Sequence, residues 1–402
     1  MKTNSVPKIR FKGFTDDWEQ RKLGDEVRIV MGQSPNSENY TDDPNDYILV
    51  QGNADMKNGR VLPRVWTTQV TKQAEKDDLI LSVRAPVGDI GKTAYDVVIG
   101  RGVAAIKGNE FIFQNLGKMK SDGYWTRYST GSTFESINST DIKEAIISVP
   151  AIEEQNKIGS FFKQLDNIIA LHQRKCEQTK ELKKFMLQKM FPKKGEKNPE
   201  IRFPGFTDDW EQRKLSDVAN HRGGTAIEKY FDKDGVYKVI SIGSYGLNSQ
   251  YVDQNIRAIS NEITDGRVVN SGELTMVLND KTANGTIIGR TLLVEKDNEY
   301  VINQRTEIIS PKENFDSNFA YTILNGPFRE KVKRIVQGGT QIYVNYPAVS
   351  NLNLELPKIE EQQKIGSFFK QLDNTIALHQ RKCEQLKELK KFMLQNMFPK
   401  KG

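Results

Sequence analysis

The sequence predicts an α+β protein with an internal repeat, in which two modules of common fold are joined by two long antiparallel coiled-coil helices. Residues 9–23 (IRFKGFTDDWEQRKL) and 201–215 (IRFPGFTDDWEQRKL) differ at a single position. Residues 150–195 and 357–402 are also near copies, sharing IGSFFKQLDN, ALHQRKCEQ and KELKKFMLQ, whereas the two inserts between the repeats have little in common. A chain that duplicates its frame while its inserts diverge is expected to hold two similar modules against a symmetric partner and to direct them at different targets.

The repeat divides the chain into six segments. With 402 residues, the chain is too long for one typical core and fits two domains with connections. The predicted segments are a leader (1–23), a first insert (24–149), a central long helix (150–192), a linker with the repeated leader (193–215), a second insert (216–356) and a C-terminal long helix (357–402).

Each insert is predicted to be an α+β module. Short apolar runs rich in β-branched residues, such as DYILVQG and DLILSV in the first insert and YKVISIGS and GTIIGRTLLVE in the second, are typical of strands. A helix is predicted near residues 115–127 and another near residues 318–336. A Gly/Ser/Thr loop and a last strand, AIISVP or LNLELP, complete each insert.

The repeated segments after the inserts have the periodicity of long helices. Their apolar residues recur at steps of four and three, which is the pattern of a coiled-coil seam. We predict helices from near Ile152 to near Met190 and from near Ile359 to near Met397, each roughly 50–60 Å long at about 1.5 Å per residue. The simplest pairing is an antiparallel coiled coil; packing of each seam on its own module, or on another molecule, is the alternative.

The seam contains His172 and Cys176 in one copy and His379 and Cys383 in the other. Residues four apart share a helix face, so an antiparallel pair could form a tetrahedral zinc site. Packing of these side chains within the seam is favoured, because ligands on straight helices seldom converge without a loop, and no metal site is predicted. Two cysteines form no disulfide framework, which is typical of a reducing compartment.

The net charge of +7 comes from the repeated frame, because both inserts are slightly acidic. An insert that binds DNA must therefore gather its basic residues on one face, or a partner must supply much of the non-specific contact. No stretch approaches 18 apolar residues, and no apolar signal region lies near the N-terminus, so a cytoplasmic protein is predicted.

Motifs for catalysis are missing. Residues 88–93 (GDIGKT) resemble the end of a nucleotide-binding phosphate loop, but position 86, where that loop has its first glycine, is proline. A close approach of the Gly91–Lys92 backbone to a DNA phosphate is therefore preferred to nucleotide binding. With three histidines, two of them in the seam, triad chemistry has little to work with. We predict no catalytic or cofactor-binding residue.

The order leader, insert, PxIEEQxKIGSFF helix, all repeated once, resembles the DNA specificity subunit of type I restriction-modification systems over essentially the whole chain. The resemblance implies that each insert is a target recognition domain that reads half of a split sequence in double-stranded DNA. It also implies that the paired helices space the two halves and dock two adenine methyltransferase subunits, to which nuclease/translocase subunits bind. The chain itself would be non-catalytic, with S-adenosylmethionine, ATP and Mg²⁺ bound by the partner subunits.

Candidate contact residues follow from the loops and from alignment of the inserts. Aligned from their shared ends, Arg127 matches Arg334, Thr133 matches Thr340 and Asn138 matches Asn345; strand order matches Arg101 with Arg305. Arginine, asparagine and glycine-rich backbone are suited to base edges and phosphates. Further DNA-binding candidates are Arg60, Arg84, Lys92, Lys281 and Arg290, and the partner-binding candidates are Trp18, Trp210, Phe161 and Phe368.

Two other function classes stay open. A structural adaptor that bridges two protein partners through the duplicated frame would suit the slightly acidic inserts. A self-sufficient DNA enzyme, such as a fused methyltransferase, is opposed by the absence of a recognisable amino-methyltransferase motif. Salt-dependent DNA binding by the assembled complex would separate the first class from DNA recognition.

Overall fold

A computed structural model of the chain describes residues 6–128 and 136–399, with only the backbone of residues 127 and 128. The chain forms two compact units. Unit 1 comprises Met1–Gln173 and Arg381–Gly402, and unit 2 comprises Arg174–Gln380. Each unit therefore contains one leader or its repeat, one insert and segments of both long helices.

Unit 1 is built around a six-stranded sheet, with a five-stranded sheet beside it. The strands are β1 (Glu19–Lys22), β2 (Arg28–Met31), β3 (Tyr40–Thr41), β4 (Tyr47–Val50), β5 (Met56–Lys57), β6 (Arg60–Val61), β7 (Trp66–Thr67), β8 (Gln73–Ala74), β9 (Leu79–Ser82), β10 (Ile90–Lys92), β11 (Val97–Ile99), β12 (Val103–Lys107) and β13 (Ile146–Val149). The helices are α1 (Leu23–Glu26), α2 (Glu110–Ser121), α3 (Ser139–Lys143) and α4 (Ile152–Lys189). The larger sheet has the order β2-β12-β9-β10-β6-β5, and the smaller one β3-β7-β4-β11-β8.

The central strand β9 is apolar along nearly its whole length because both of its faces are covered. Leu79 and Leu81 pack in a core with Phe111 of α2 and Phe162 of α4. Ile80, which points the opposite way, packs in a second core that includes residues of β11. Strands buried on both faces lack the alternation of polar and apolar residues that a half-exposed strand shows.

Unit 2 repeats this plan with a longer insert. Its strands are β14 (Glu211–Lys214), β15 (Ala219–Gly223), β16 (Tyr237–Ile240), β17 (Arg257–Ala258), β18 (Val268–Val269), β19 (Leu274–Val277), β20 (Asn279–Asp280), β21 (Thr291–Leu293), β22 (Tyr300–Ile302), β23 (Thr306–Pro311), β24 (Gln337–Gly338), β25 (Ile342–Tyr343) and β26 (Asn353–Leu356). Its helices are α5 (Leu215–Val218), α6 (Glu262–Asp265), α7 (Ser317–Asn325), α8 (Pro327–Lys333), α9 (Tyr346–Ser350) and α10 (Ile359–Met397), of which α10 ends in unit 1. Its sheets have the orders β15-β23-β19-β21, β17-β16-β22-β18 and β20-β25-β24. The prediction of two α+β modules of common fold is confirmed.

Each leader is bound to the first turn of a long helix by a buried ion pair. Arg10 donates from Nε and Nη2 to the two carboxylate oxygens of Glu154, at 2.7 and 2.8 Å. Arg202 and Glu361 repeat this geometry at the same two distances. The second glutamate of the repeated PxIEEQ motif, Glu154 or Glu361, thus has a structural role, because it holds the leader against the helix.

The leaders also join the sheets. Strand β1 pairs antiparallel with β13, the last strand of the first insert, and β14 pairs in the same way with β26. Each leader is therefore part of the module that follows it.

The two long helices have the predicted bounds to within one residue. In unit 1, Lys390 Nζ lies 2.6 Å from Asp166, while the ring of Phe398 lies 6.1 Å from that of Phe162. Numbering falls on one helix as it rises on the other, so the segments run antiparallel, as predicted. In unit 2, Lys183 with Asp373 and Phe191 with Phe369 show the same direction.

The seam cysteines are buried and free of disulfides. Cys383 packs with Leu165 and Ile169 in unit 1, as the seam pattern predicts. Within residues 6–128 and 136–399, no three His, Cys, Asp or Glu side chains are grouped as metal ligands. Over the same residues, no helix has both the length and the apolar character needed to span a bilayer.

Candidate nucleic-acid interface

Three segments of unit 1 meet at the end of strand β9. The amide of Val83 donates to Gly102 O at 2.9 Å, and the amide of Ile137 donates to Val83 O at 3.0 Å. The residue after Val83 is Arg84, which forms a bridge to Ser136, and the residue before Gly102 is Arg101. Both arginines are exposed, and we call residues 84–88, 100–102 and 136–138 the loop edge of unit 1.

Unit 2 repeats this arrangement. The amide of Leu278 donates to Arg305 O at 3.0 Å, and that of Val344 donates to Leu278 O at 2.9 Å. Strand β20 then pairs with β25, which pairs with β24, so a Gly-Gly hairpin carrying Thr340 lies beside the turn carrying Lys281. The loop edge of unit 2 comprises residues 279–285, 303–305 and 337–345.

Arg101 and Arg305 lie in the turns between equivalent strands, as strand order predicted, but they are not at the same position. The equivalent bonds from Val83 N to Gly102 O and from Leu278 N to Arg305 O pair Arg305 with Gly102, one residue after Arg101. Sequence reasoning missed the glycine that supports each turn. A Cβ on Gly32 would lie 2.1 Å from Gly100 O, and one on Gly224 would lie 1.9 Å from Asn303 O. Only glycine permits this backbone approach. The available signal was a glycine following the first strand of each insert, in MGQS and RGGT.

The Lys281 loop is held by two buried charged side chains. Asp280 accepts from the amides of Thr282 at 3.0 Å and Ile287 at 2.8 Å. Arg329 donates to Ile288 O at 2.9 Å and to Gly285 O at 2.8 Å, and burial lowers its pKa to about 10. Lys281 itself is exposed on this fixed loop. Arg329 was missed because its segment, PFREKVKR, has the composition of a solvated basic helix.

Arg290 holds the same loop from the other side. It donates to Thr286 O at 2.8 Å and to Ser249 Oγ at 2.9 Å, and burial lowers its pKa. Two of the five N–H donors of Arg290 are therefore used inside the unit. These bonds give Arg290 a role in positioning the loop, and its DNA contact stays a prediction.

Arg60 and Lys92 do not join the loop edge of unit 1. They face each other on β6 and β10, where Lys92 is opposite Leu79, at the far end of β9 from Arg84. The ammonium of Lys92 lies 3.7 Å from a carboxylate oxygen of Asp77 and 3.6 Å from one of Glu110. The structure thus separates Arg60 and Lys92 from the other candidates by about 16 Å of extended strand.

The aligned polar pairs are less alike than the alignment implied. Asn138 caps α3, accepting from the amides of Thr140 at 2.8 Å and Asp141 at 3.0 Å, so its carbonyl oxygen is already used. Asn345 is in the same position before α9 but makes no side-chain capping bond and is exposed.

Four further candidates remain, two in each insert. Arg334 and Thr340 are exposed. Arg127 belongs to a 3₁₀ helix (Tyr124–Tyr128), but its side chain lies outside the described part of the chain, as does the whole of Thr133.

The leader tryptophans are core residues. Trp18 and Trp210 are 2% and 5% exposed and pack edge-on against Phe111 and Phe319. Their burial corrects the prediction that these two side chains contact a partner, because such side chains present almost no surface. Phe161 and Phe368 are only partly buried, so partner binding there stays a prediction.

The family profile for the type I restriction modification DNA specificity domain matches residues 15–181 and 207–388. The chain belongs to this family. The two matches correspond to the two repeats and together cover most of the sequence. A family defined by DNA specificity rather than by catalysis agrees with the prediction of a non-catalytic subunit.

Individual relatives support the assignment. The chain is 32% identical over 188 residues to a putative type I restriction enzyme MjaX specificity subunit of Methanocaldococcus jannaschii, an alignment that spans 45% of this chain and 44% of that protein. It is 24% identical over 401 residues to the MjaVIII specificity subunit of the same organism, covering 94% of this chain and 91% of that protein.

A solved structure shows the same fold. The S subunit of a type I restriction-modification system from M. genitalium superimposes with a TM-score of 0.69 at 13% identity, covering 99% of this chain and all of that one.

Proposed function

We propose that this specificity subunit recognises a bipartite sequence in double-stranded DNA, with the loop edge of each unit reading one half. The observation that carries the proposal is the repetition of the loop edge: the same backbone junction is built twice on a nearly identical frame, with different side chains. Identical frames suit a common partner, and divergent loops suit different targets.

The loop edges show how slightly acidic inserts can still present basic side chains to DNA. Arg84 and Arg101 are exposed together in unit 1, and Lys281 and Arg305 are exposed in unit 2. Acidic Asp280 is buried there and accepts backbone N–H groups. Basic side chains can thus meet phosphates or base edges locally although each insert has a slightly negative total charge.

The frame carries the surface for protein partners. Several large apolar residues of α4 and α10 are at least 43% exposed, at spacings of three and eleven residues that keep them on one helix face. They are Ile168, Leu171, Leu182 and Phe185 of α4, and Leu378, Leu389 and Phe392 of α10. Exposed apolar residues along one helix face are typical of a surface that a protein partner covers. We assign this surface to two methyltransferase subunits, one for each copy of the frame.

A second duplicated surface lies between each leader and its helix. Phe11 packs edge-on against Phe161, and the ammonium of Lys157 lies 5.5 Å from the Phe11 ring centre and 5.8 Å from that of Phe14. In unit 2, Phe203 with Phe368 and Lys364 over Phe206 repeat these contacts. Because both surfaces are partly exposed and nearly identical, they suit the same symmetric partners.

The proposal leaves the chemistry to those partners. The methyltransferase subunits would bind S-adenosylmethionine and flip the target adenine, and nuclease/translocase subunits would bind ATP and Mg²⁺. This chain would hold the duplex in register with them.

The experiment is co-expression with the methyltransferase partner in a host without adenine methylation, followed by genome-wide mapping of methylated adenines. A split motif that requires both genes supports the proposal, and exchange of residues 24–149 for another insert should change one half of it only. A soluble complex that produces no motif would favour the structural adaptor instead.

A further inference from the structure

A three-residue cluster lies on the central sheet of unit 2. His221 Nδ1 is 2.6 Å from Glu307 Oε1, and the imidazole contacts the ring of Tyr346, with ring centres 4.5 Å apart and ring planes tilted by 36°. The His221 side chain is 54% exposed, whereas that of Glu307 is 8% exposed. The buried Glu307 carboxyl and the buried Tyr346 ring therefore fix the orientation of an imidazole that faces solvent.

The cluster adjoins the loop edge of unit 2. Glu307 is two residues after Arg305 and pairs with Gly223, the residue before the glycine that supports the Arg305 turn. Tyr346 directly follows Asn345, the last residue of the loop edge. The exposed ring of His221 thus stands beside the residues proposed to meet DNA.

Unit 1 builds the same fold without this cluster. The matching amide bonds, Gly32 N to Val103 O and Gly224 N to Thr306 O, align the two sheets residue by residue. By this register, Ile29 and Ala104 of unit 1 occupy the positions of the histidine and the glutamate. The equivalent bonds from Ile137 N to Val83 O and from Val344 N to Leu278 O place Ser139 at the position of the tyrosine. Burial of a carboxyl lowers stability unless a hydrogen bond compensates for the lost hydration. Unit 1 forms the same fold without such a carboxyl, so the cluster indicates a role particular to the second insert.

We propose that His221, positioned by Glu307 and Tyr346, contacts a base edge in the half-site read by unit 2. The inference rests on the proposed function and deepens it. With Nδ1 bonded to Glu307, the ring has one remaining polar atom, Nε2, which makes a single hydrogen bond to a polar group in a DNA groove. Unit 1 has Ile29 at the position of His221, and the isoleucine side chain has no polar atom.

The test uses the complex with the methyltransferase partner and duplexes carrying single base changes in each half-site. His221→Ala should reduce discrimination about tenfold, or about 1.4 kcal/mol, at a position of the unit 2 half-site and leave the other half-site unchanged. Asn220→Ala is the matched control, because Asn220 is an exposed neighbour whose side chain points to the other face of the strand.

The outcomes separate the two proposals. A wild-type complex with no split motif would overturn the proposed function. A wild-type split motif that His221→Ala leaves unchanged would overturn only this inference, and so would a uniform loss of affinity without a change in motif, since that indicates a phosphate contact.

Glu307 is tested as a positioning residue through the pH profile. The charged or titratable groups facing it are His221, Tyr346 and Arg267. Glu307→Gln keeps an oxygen that can accept from Nδ1 but removes the titrating carboxyl. Burial raises the pKa of the Glu307 carboxyl, so the variant should lose the pH dependence of discrimination at the His221-dependent base that this carboxyl causes. An unaltered profile with lower stability would show that Glu307 is structural only.

Discussion

Replacing Glu361 with alanine should destabilise unit 2 at its leader. The Glu361 side chain is 1% exposed and that of Arg202 is 14% exposed, so the substitution leaves a guanidinium nearly buried without its counter-ion. Breaking a buried pair in this way costs about 3–5 kcal/mol. Because Arg202 keeps its bonds to Asp208 O at 2.6 Å and to Asn198 Oδ1 at 3.0 Å, we expect about 3 kcal/mol.

The repeat supplies an internal control for the assay. Amide hydrogen exchange of residues 201–215 should accelerate about 100-fold in Glu361→Ala, while residues 9–23, held by the intact pair of Arg10 with Glu154, should exchange as before. Glu360→Ala, which alters the exposed neighbour on the same helical turn, should change neither leader.

A further variant separates charge from packing. Replacing both partners, as in Arg202→Met with Glu361→Leu, removes the charges together and should recover most of the lost stability. A double variant as unstable as Glu361→Ala, or a change below about 0.5 kcal/mol in Glu361→Ala itself, would refute the reasoning that an unpaired buried charge dominates.

Three other expectations can be measured. Gly224→Ala should shift the Arg305 turn and weaken DNA binding by the complex, because the new Cβ would lie 1.9 Å from Asn303 O. Gly339→Ala, whose new Cβ would have nothing within 4 Å, should leave the fold unchanged. Circular dichroism would compare the folds of the two variants, and binding titrations would compare their affinities for DNA. Phe392→Lys should leave the unfolding free energy nearly unchanged but weaken assembly with the methyltransferase subunit by at least tenfold, as sedimentation velocity would show, since Phe392 is 53% exposed. Burial raises the pKa of Glu307, so this carboxyl contributes stability that is fully present below its unfolded pKa and is lost as pH rises through the folded pKa; in urea titrations from about pH 4 to 8, Glu307→Gln should reduce that loss.

The sequence alone determined the frame. The heptad seam gave both long helices to within one residue, because a periodic pattern over nearly forty residues is set by local geometry and averages out individual exceptions. The strand-like runs of the inserts gave the α+β class for the same reason. Strand order, which the repeat preserves, also placed Arg101 and Arg305 in equivalent turns, although the backbone register pairs Arg305 with Gly102.

Only the tertiary structure decided which side chains are available at the candidate site. Arg290 and Arg305 both read as exposed basic loop residues, yet one donates to neighbouring backbone and hydroxyl oxygens while the other stands free on a turn. The sequence predicted Trp18 as an exposed partner-binding residue. The structure buries it, because the leader folds onto its helix through the ion pair of Arg10 with Glu154. The cluster of His221, Glu307 and Tyr346 joins residues up to 125 positions apart, and no local pattern records such a contact. Burial and hydrogen bonding depend on neighbours distant in the chain, so periodicity fixes the elements while packing selects the residues that remain exposed to a partner.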